Sequence, residues 1–428
     1  MVQQSEPWRA DGMNEAADGL DWAAKDKEKP AGNFDDDYNA LCRLFDVPAH
    51  PCLLRRQHPT DQENSTATTT TKSSLNLRNF EVDKTTVRLM MEALTRSSDI
   101  DALHFHNAGL TEGSIATLAE HLPKTGIRCL SLDYNTSPSS TPPLTPREAP
   151  KRADHTEAAE EEAGDNAVST SAASSSSRNF TDFVRDGSKV KALSLRGNGI
   201  GDDEVVGLAK VVEGNTVLCS LNLFDNAITD VGATAFAESL KLNSTLRGLS
   251  LARNRLNAAS AEAFGFLLAG GYEVPPSELD KRLAAETKIA ALNKTAQARE
   301  GEREREEGGD AMKKKKDAKV ETRLLLGTLT KTEDGSRTIS GGSQSLATLN
   351  LGDNREMGAG GAILDLLLGL AESRKLDGGG GGSAGGVVAL QELHLRRCQG
   401  HEEQEEEGEQ GALVAAAILG LRPTKVFV

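Results

Sequence analysis

The chain has 428 residues, of which 37% are hydrophobic, and a formal net charge of −15 at pH 7. A single packed domain has roughly 45–50% apolar residues when Gly is counted, so we expect much of this chain to lie outside a core. The negative charge argues against a nucleic-acid-binding surface. The 5 cysteines are odd in number and scattered, which favours reduced thiols in an intracellular protein.

The N-terminal region divides into three segments by composition. Residues 1–33 are polar, so we predict a disordered tail, and they contain no apolar run that could serve as a signal peptide. Residues 34–57 place apolar side chains such as Tyr38 and Leu41 at helical spacing, which predicts a short helical segment. Residues 58–74 are rich in Thr and Ser and are predicted to be a linker.

Residues 75–135 contain pairs of apolar residues two positions apart. The pairs are Leu75 and Leu77, Leu103 and Phe105, and Leu130 and Leu132. A spacing of two puts both side chains on one face of a strand, so each pair predicts a short strand. Residues 136–177 follow, with runs such as "TSPSSTPPLTPREAP" and "STSAASSSS". This composition cannot bury a core, and we predict a disordered insertion.

The segment 178–270 is an internal repeat with a period of 28 residues. The recurring positions are Leu193, Leu221 and Leu249, then Leu195, Leu223 and Leu251, then Asn198, Asn226 and Asn254. Behind each strand the apolar residues recur at helical spacing, as at Val205, Leu208 and Val212. Asp202 and Asp230 stand at the starts of these helices, where we expect the carboxylates to cap free amides.

Each unit is therefore predicted to be strand, loop, helix and loop. One such unit cannot bury its apolar faces, but stacked copies bury them between a parallel sheet and a row of helices. Crossovers between parallel strands are almost always right-handed. Helices are about 10 Å wide and strands are spaced about 4.8 Å apart, so the stack is expected to curve with the sheet inside. The predicted fold is an α/β right-handed solenoid, or horseshoe, with a concave parallel sheet, convex helices and long disordered insertions.

The pattern L-x-L-x-x-N-x-[IL] followed by an apolar helix resembles the ribonuclease-inhibitor class of leucine-rich repeats. In that family the Asn side chain satisfies backbone groups where the chain leaves the strand. The resemblance implies this role for Asn135, Asn198, Asn226, Asn254 and Asn354. The pattern departs at the unit of Leu103, where Ala108 holds the Asn position, and Cys398 holds it later in the chain. Since the first unit of a solenoid exposes its core, we interpret residues 34–57 as an N-terminal helical cap.

Two further segments complete the chain. Residues 271–345 are highly charged, and we predict an insertion whose first part forms a solvated helix and whose remainder is a mobile loop. Residues 346–428 return to the repeat pattern, with Gly-rich and Glu-rich insertions. The longest apolar run, "ALVAAAILGL", is too short to span a bilayer, so no membrane partner is expected.

No catalytic or cofactor-binding motif stands out. Cys42, His50, Cys52 and His58 could act as zinc ligands, but their spacing matches no common zinc module, so no metal is predicted. No Gly run is followed by the Gly-Lys-Ser/Thr of a phosphate-binding loop. We therefore predict that the protein is not an enzyme and needs no cofactor.

The candidate binding residues lie on the concave face, at positions that alternate with the buried leucines. They are Tyr134, Arg196, Asn222, Phe224, Arg253 and Arg396. Arg and aromatic residues are favoured as binding anchors. Phe224 is the most informative because it is a large apolar ring on a polar face, although a ring packed for stability is an equal alternative. Arg196 and Arg253 could flank Phe224 around an acidic partner segment.

The predicted function is that of a non-enzymatic, cytoplasmic scaffold that binds a protein partner on the concave face. The alternative is a regulator of a small GTPase, because Ran GTPase-activating proteins are similar in repeat type. No catalytic Arg or Asn can be assigned for that alternative. The run "KKKK" at 313–316 leaves a nuclear location open, and a ciliary location is also open.

Overall fold

The computed structural model describes residues 20–27, 29–54, 73–135, 179–274, 276–306, 328–331, 337–340, 345–357, 390–395, 398 and 426–427. Several predictions lie outside these described residues. They concern the insertion at 136–177, the Gly-rich and Glu-rich insertions, His58 and Arg396.

The described part of the chain contains one 9-stranded sheet whose neighbouring strands are all parallel. Its strands are β1 (Ser73–Arg78), β2 (Ile100–His106), β3 (Cys129–Asp133), β4 (Ala192–Ser194), β5 (Ser220–Asn222), β6 (Gly248–Ser250), β10 (Thr348–Asn350), β11 (Glu392–His394) and β12 (Val426–Phe427). They lie side by side in sequence order. The predicted α/β solenoid with a parallel sheet is confirmed.

The register is the same at every described rung, including the rungs that flank the long insertions. Leu130 pairs with Leu193 across the insertion after β3. Leu249 pairs with Leu349 across the charged insertion. Because one face of each strand must meet the core, a shift of one residue would turn every leucine to the other face. The insertions therefore leave the stack without changing the pairing of the strands.

Helices cover one face of the sheet. They are α1 (Phe34–Leu44), α2 (Pro51–Leu54), α3 (Lys84–Arg96), α4 (Glu112–His121), α5 (Asp202–Gly214), α6 (Asp230–Leu240), α7 (Ala258–Ala269) and α8 (Pro276–Glu306). Short 3-10 helices lie at Trp22–Lys27, Leu122–Lys124 and Phe180–Val184. The strand leucines and the apolar helix faces form one continuous buried cluster. Among the described helices, none is long and apolar enough to cross a membrane.

The helix starts differ from the expectation at the two aspartates. The residues that precede α5 and α6 are Gly201 and Thr229, and the Thr229 side chain accepts a hydrogen bond from the Val231 amide. Asp202 instead joins the two helices. Its Oδ1 accepts from the Thr229 amide (2.9 Å), and its Oδ2 accepts from the Thr229 hydroxyl (2.6 Å). It is a link between repeats because it lies in the first turn of α5, beside the start of α6.

Part of the segment 1–33, for which we predict a disordered tail, lies among the described residues and contains a short helix. The 3-10 helix at Trp22–Lys27 packs against the first units. The Trp22 ring lies 4.7 Å from the Phe45 ring, and the Arg88 guanidinium lies over it at 4.1 Å. Lys25 forms an ion pair with Glu92 (3.0 Å). The half-buried Trp22 ring, together with the ion pair of Lys25, connects this polar segment to the first units.

Within the predicted helical segment, α1 and α2 cover the first repeat over the described residues 34–54. Phe34 and Leu41 are fully buried, and the amide of the buried His50 donates to the Tyr38 hydroxyl oxygen (3.1 Å). The His50 Nε2 lies 3.2 Å from the Glu81 carbonyl. Burial lowers the pKa of His50 below its ordinary value. The segment therefore closes the N-terminal end of the core.

The charged insertion contains more structure than the expected solvated helix and mobile loop. Helix α8 is 31 residues long and has Ile289 on a buried side. Lys288 donates to the Gly214 carbonyl at the end of α5 (3.1 Å). Strands β7 (Gly270–Glu273), β8 (Thr328–Lys331) and β9 (Arg337–Ser340) form a separate antiparallel sheet. These strands were missed because they lie outside the repeat pattern, and because the partner of β7 is about 65 residues further along the chain.

Candidate functional site

Asparagine side chains connect successive rungs where the chain leaves each strand. The Asn198 Nδ2 donates to the carbonyls of Leu132 (2.9 Å) and Arg196 (3.1 Å). Its Oδ1 accepts from the amide of Asn135 (3.0 Å). Each Asn side chain thus forms hydrogen bonds with the backbone of its own rung and of the preceding rung. The same pair of carbonyls, one from each rung, accepts from Asn135, Asn226, Asn254 and Asn354.

The cysteine that holds the Asn position makes a related bond. Cys398 is fully buried, and its Sγ donates to the Leu351 carbonyl of the preceding rung (3.1 Å). Burial raises the pKa of the Cys398 thiol to about 11. The thiol therefore keeps its proton at neutral pH, which it needs in order to donate as the Asn amide does.

The residue before each Asn position has a left-handed backbone. This column consists of Asn79 (φ 57), Asn107 (φ 49), Tyr134 (φ 56), Gly197 (φ 62), Asp225 (φ 59), Arg253 (φ 56) and Asp353 (φ 59). The position explains the unit of Leu103. Asn107 takes the left-handed site, which Asn tolerates, and Ala108 fills the buried Asn position. Tyr134, Asp225 and Arg253 belong to this column and lie at one edge of the strands.

The face of the sheet opposite the helices, here called the open face, carries small polar side chains in its middle. Ser194, Asn222, Ser250 and Asn350 are half-buried and alternate with the fully buried leucines. They are register partners in neighbouring rungs. This face therefore presents a row of short side chains, with one bulkier cluster at its edge.

That cluster, here called the Arg196 cluster, consists of Tyr134, Arg196, Phe224, Asp225 and Arg253. The Arg196 guanidinium lies over the Phe224 ring at 4.4 Å and over the Tyr134 ring at 5.6 Å. Its Nη2 also donates to the Tyr134 hydroxyl (3.3 Å). Stacking of a guanidinium on an aromatic face contributes about 0.5–2 kcal/mol per contact, depending on solvent exposure. The two rings therefore hold the arginine in one orientation.

A carboxylate completes the Arg196 cluster. The Tyr134 hydroxyl lies 3.5 Å from Asp225 Oδ2, and the Arg253 Nε lies 3.2 Å from Asp225 Oδ1. The His106 ring meets the Tyr134 ring edge-on at 5.2 Å. The charge of Arg253 is thus balanced by Asp225, while no described carboxylate lies within ion-pair distance of Arg196.

A close approach fixes the position of the Tyr134 ring. A Cβ atom added at Gly197 would lie 2.3 Å from the Tyr134 Cδ1 and 2.4 Å from its Cε1. The ring therefore rests on the bare backbone of the next rung. Gly197 is a structural requirement of the cluster both for this contact and for its positive φ.

The structure brings four of the six sequence-predicted binding residues together, and these are Tyr134, Arg196, Phe224 and Arg253. Asn222 lies in the neighbouring column, where its Oδ1 accepts from the Phe224 amide (3.1 Å). Arg396 lies outside the described residues. Asp225 and Gly197 were not among the predicted binding residues. The signal for both was their place directly before an Asn of the repeat.

Of the four residues considered as zinc ligands, Cys42, His50 and Cys52 lie in the described part of the chain. His50 is fully buried and engaged with the backbone of Glu81 and Cys52. Burial raises the pKa of the Cys42 thiol to about 11. Within the described ranges, no group of three or more His, Cys, Asp or Glu side chains is placed to hold a metal ion.

Comparisons with known proteins bear on the repeats. Residues 188–209 and 214–237 match a family model described as "Leucine Rich repeat". A solved structure of leiomodin-1 actin-binding site 2 matches at 21% identity over 30% of this chain and 79% of that chain, with a TM-score of 0.18. That score is too low to support any argument. Comparison with curated proteins finds no match. The matched units lie in the segment that contains β4, α5, β5 and α6, so this part of the α/β solenoid is similar to leucine-rich repeats.

Proposed function

We propose that this protein is a non-enzymatic scaffold and that its open face binds a protein partner, with the Arg196 cluster as the anchor. The observation that carries the proposal is the Arg196 guanidinium stacked on Phe224 at 4.4 Å, beside a row of short side chains. Buried Arg and aromatic residues contribute most of the energy at protein interfaces. We further propose that the repeats are of the ribonuclease-inhibitor class, on the basis of their 28-residue step.

Two features favour a protein as the partner. The rigid, amphipathic rings of Tyr134 and Phe224 lose little entropy on binding, which suits them to protein contacts. The Asn222 side chain uses its oxygen for the Phe224 amide, so its amide N–H groups remain available for a partner backbone carbonyl. A nucleic acid or an anionic membrane would be repelled by a chain with a net charge of −15.

The test is capture of partners by the full chain and by two double variants. Arg196→Ala with Phe224→Ala removes the anchor, and we expect at least about a tenfold loss of captured partner because hot-spot residues cost about 2 kcal/mol or more. The matched control is Arg185→Ala with Val231→Ala, since both side chains are exposed on the helix side of the molecule, at 60% and 59%. Equal capture by all three proteins would refute binding at the open face.

The same preparations decide between the scaffold and a GTPase regulator. We expect no acceleration of GTP hydrolysis by Ran when the full chain is added. Acceleration that survives in the control variant would show that the protein acts on a GTPase, and the scaffold proposal would then be wrong.

A further inference from the structure

We propose that the Arg196 cluster recognises one carboxylate, an Asp or Glu side chain in a protein segment that is not otherwise acidic. This inference rests on the proposed function and adds the chemistry of the partner. The Arg196 guanidinium uses few of its hydrogen-bond donors within the protein. One of its five N–H groups donates to Tyr134, and its Nε is shielded from solvent without a hydrogen-bond partner in the described structure. The Nε of this guanidinium has therefore lost its hydration, and no carboxylate among the described residues balances the charge of Arg196.

The carboxylates nearest to Arg196 already have other partners. Asp133 lies next to Arg196, but its Oδ1 accepts from the Ser194 hydroxyl (2.6 Å) and from the Arg196 amide (3.2 Å). Asp225 faces Arg253 and Tyr134. Neither of them forms an ion pair with the Arg196 guanidinium in the described structure. A carboxylate from a partner would supply the negative charge and the acceptor oxygens that Arg196 lacks. Arginine binds carboxylates through two parallel hydrogen bonds of defined geometry.

Aspartates near Arg196 limit the negative charge that the partner segment can carry. Asp133 and Asp225 lie at the same edge, on the two rungs next to that of Arg196. Adjacent rungs are about 4.8 Å apart, so both charges act beside Arg196 within the screening length of about 8 Å at physiological salt. A run of acidic residues would be repelled by these aspartates, whereas a single carboxylate would contact only Arg196. The expected ligand is therefore a segment with a single acidic residue, and a polyacidic tail or a phosphate backbone is disfavoured.

The experiment uses a library of random twelve-residue peptides selected on the immobilised full chain. Binding to the open face is defined by loss of binding to Phe224→Ala. We expect these Phe224-dependent peptides to share one Asp or Glu. Replacing that residue with Asn or Gln should weaken binding roughly 10- to 100-fold, the range for a hydrogen bond to a charged group. Arg196→Gln should weaken the parent peptide by the same factor.

A double-mutant cycle assigns the contact. The peptide change and Arg196→Gln should be non-additive, with a coupling factor of at least about ten. The matched control is Arg253→Gln, whose side chain is already opposite Asp225 and is 61% exposed, and for which we expect a coupling factor below about three. Melting curves of the variants verify that they remain folded.

The outcomes separate this inference from the proposed function. Phe224-dependent peptides that need no carboxylate, or that couple equally to Arg253, would overturn the single-carboxylate inference and leave the scaffold proposal standing. Selected peptides rich in consecutive acidic residues would overturn it as well. A selection that returns no Phe224-dependent peptide would count against both proposals.

Discussion

At the scale of single residues, the geometry of the candidate site depends on a glycine. Gly197 and Gly199 both have a positive φ, of 62° and 68°, but only Gly197 has a side chain resting on it. An added Cβ at Gly199 would meet nothing within 4 Å, whereas at Gly197 it would collide with the Tyr134 ring. The two positions therefore separate the cost of a left-handed backbone from the cost of displacing the ring.

Replacing each glycine with alanine measures these two costs. Gly199→Ala should lower the free energy of unfolding by about 1–2 kcal/mol, the cost of the left-handed backbone. Gly197→Ala should lower it further, by roughly 1–3 kcal/mol for the overpacking. Chemical denaturation gives both values. Tyr134→Ala in the Gly197→Ala background should remove most of the additional loss, and equal losses for the two single variants would contradict the contact.

A second residue-scale prediction concerns pH. Burial lowers the pKa of His50 in the folded protein, so folding favours the neutral imidazole. Its contribution to stability is complete above the unfolded pKa of about 6.5 and is lost as the pH falls toward the lower folded value, with a slope of at most about 1.4 kcal/mol per pH unit. Denaturation between pH 7 and pH 5 measures it. His50→Gln should flatten that part of the profile, and an unchanged slope would show that other groups cause it.

At the scale of the repeating element, the Asn side chain donates hydrogen bonds to backbone carbonyls that are not paired within a strand or a helix. Asn198 is 6% exposed and serves carbonyls of two rungs. Asn198→Ala should lower the free energy of unfolding by roughly 2–4 kcal/mol, since buried groups that lose a partner cost about 1–3 kcal/mol each. Thermal and denaturant unfolding measure this loss. Asn76→Ala is the control, because Asn76 is an exposed strand residue, and a loss there of the same size would contradict the role of the turn.

Adjacent aspartates at the start of α5 provide another matched pair. Asp202 accepts from the Thr229 amide and hydroxyl and from the Gly232 amide (3.0 Å). Asp203 is exposed. Asp202→Ala should cost about 1.5–3 kcal/mol, because the lost bonds involve a charged group. Asp203→Ala should change stability by less than about 0.5 kcal/mol. Equal effects of the two variants would mean that the carboxylate acts only through the helix dipole.

The repeat pattern predicts the strands and helices well because each leucine position has the same neighbours in every unit. It also places Arg196, Phe224 and Arg253 in neighbouring rungs, since the period fixes the register. The contact of Tyr134 with Asp225 joins residues 91 positions apart and depends on side-chain rotamers, which no local pattern encodes. The pairing of β7 with β9 and the contact of α8 with the end of α5 were missed for a related reason, because in each case the partner comes from a distant part of the chain.

At the scale of the whole molecule, the rungs form one stack although the chain departs from it for long stretches. Asn135 and Asn198 are bonded across 63 positions, and Asn254 and Asn354 across 100. A repeat protein tolerates such departures because each unit contacts only its neighbours. The open face and its Arg196 cluster require this continuity, since the cluster combines side chains from the turns that follow β3, β4, β5 and β6.

Disulfide trapping across the longest departure tests that continuity most directly. Ser250 and Asn350 are register partners in β6 and β10. Adjacent rungs are about 4.8 Å apart, within the Cα separation of about 4.4–6.8 Å that a disulfide allows. The variant Ser250→Cys with Asn350→Cys should therefore form this bond under mild oxidation, detected by peptide mapping. Ser194→Cys with Asn350→Cys, whose rungs are not adjacent, should not form one. No bond in the first variant, or equal bonding in both, would contradict a continuous stack.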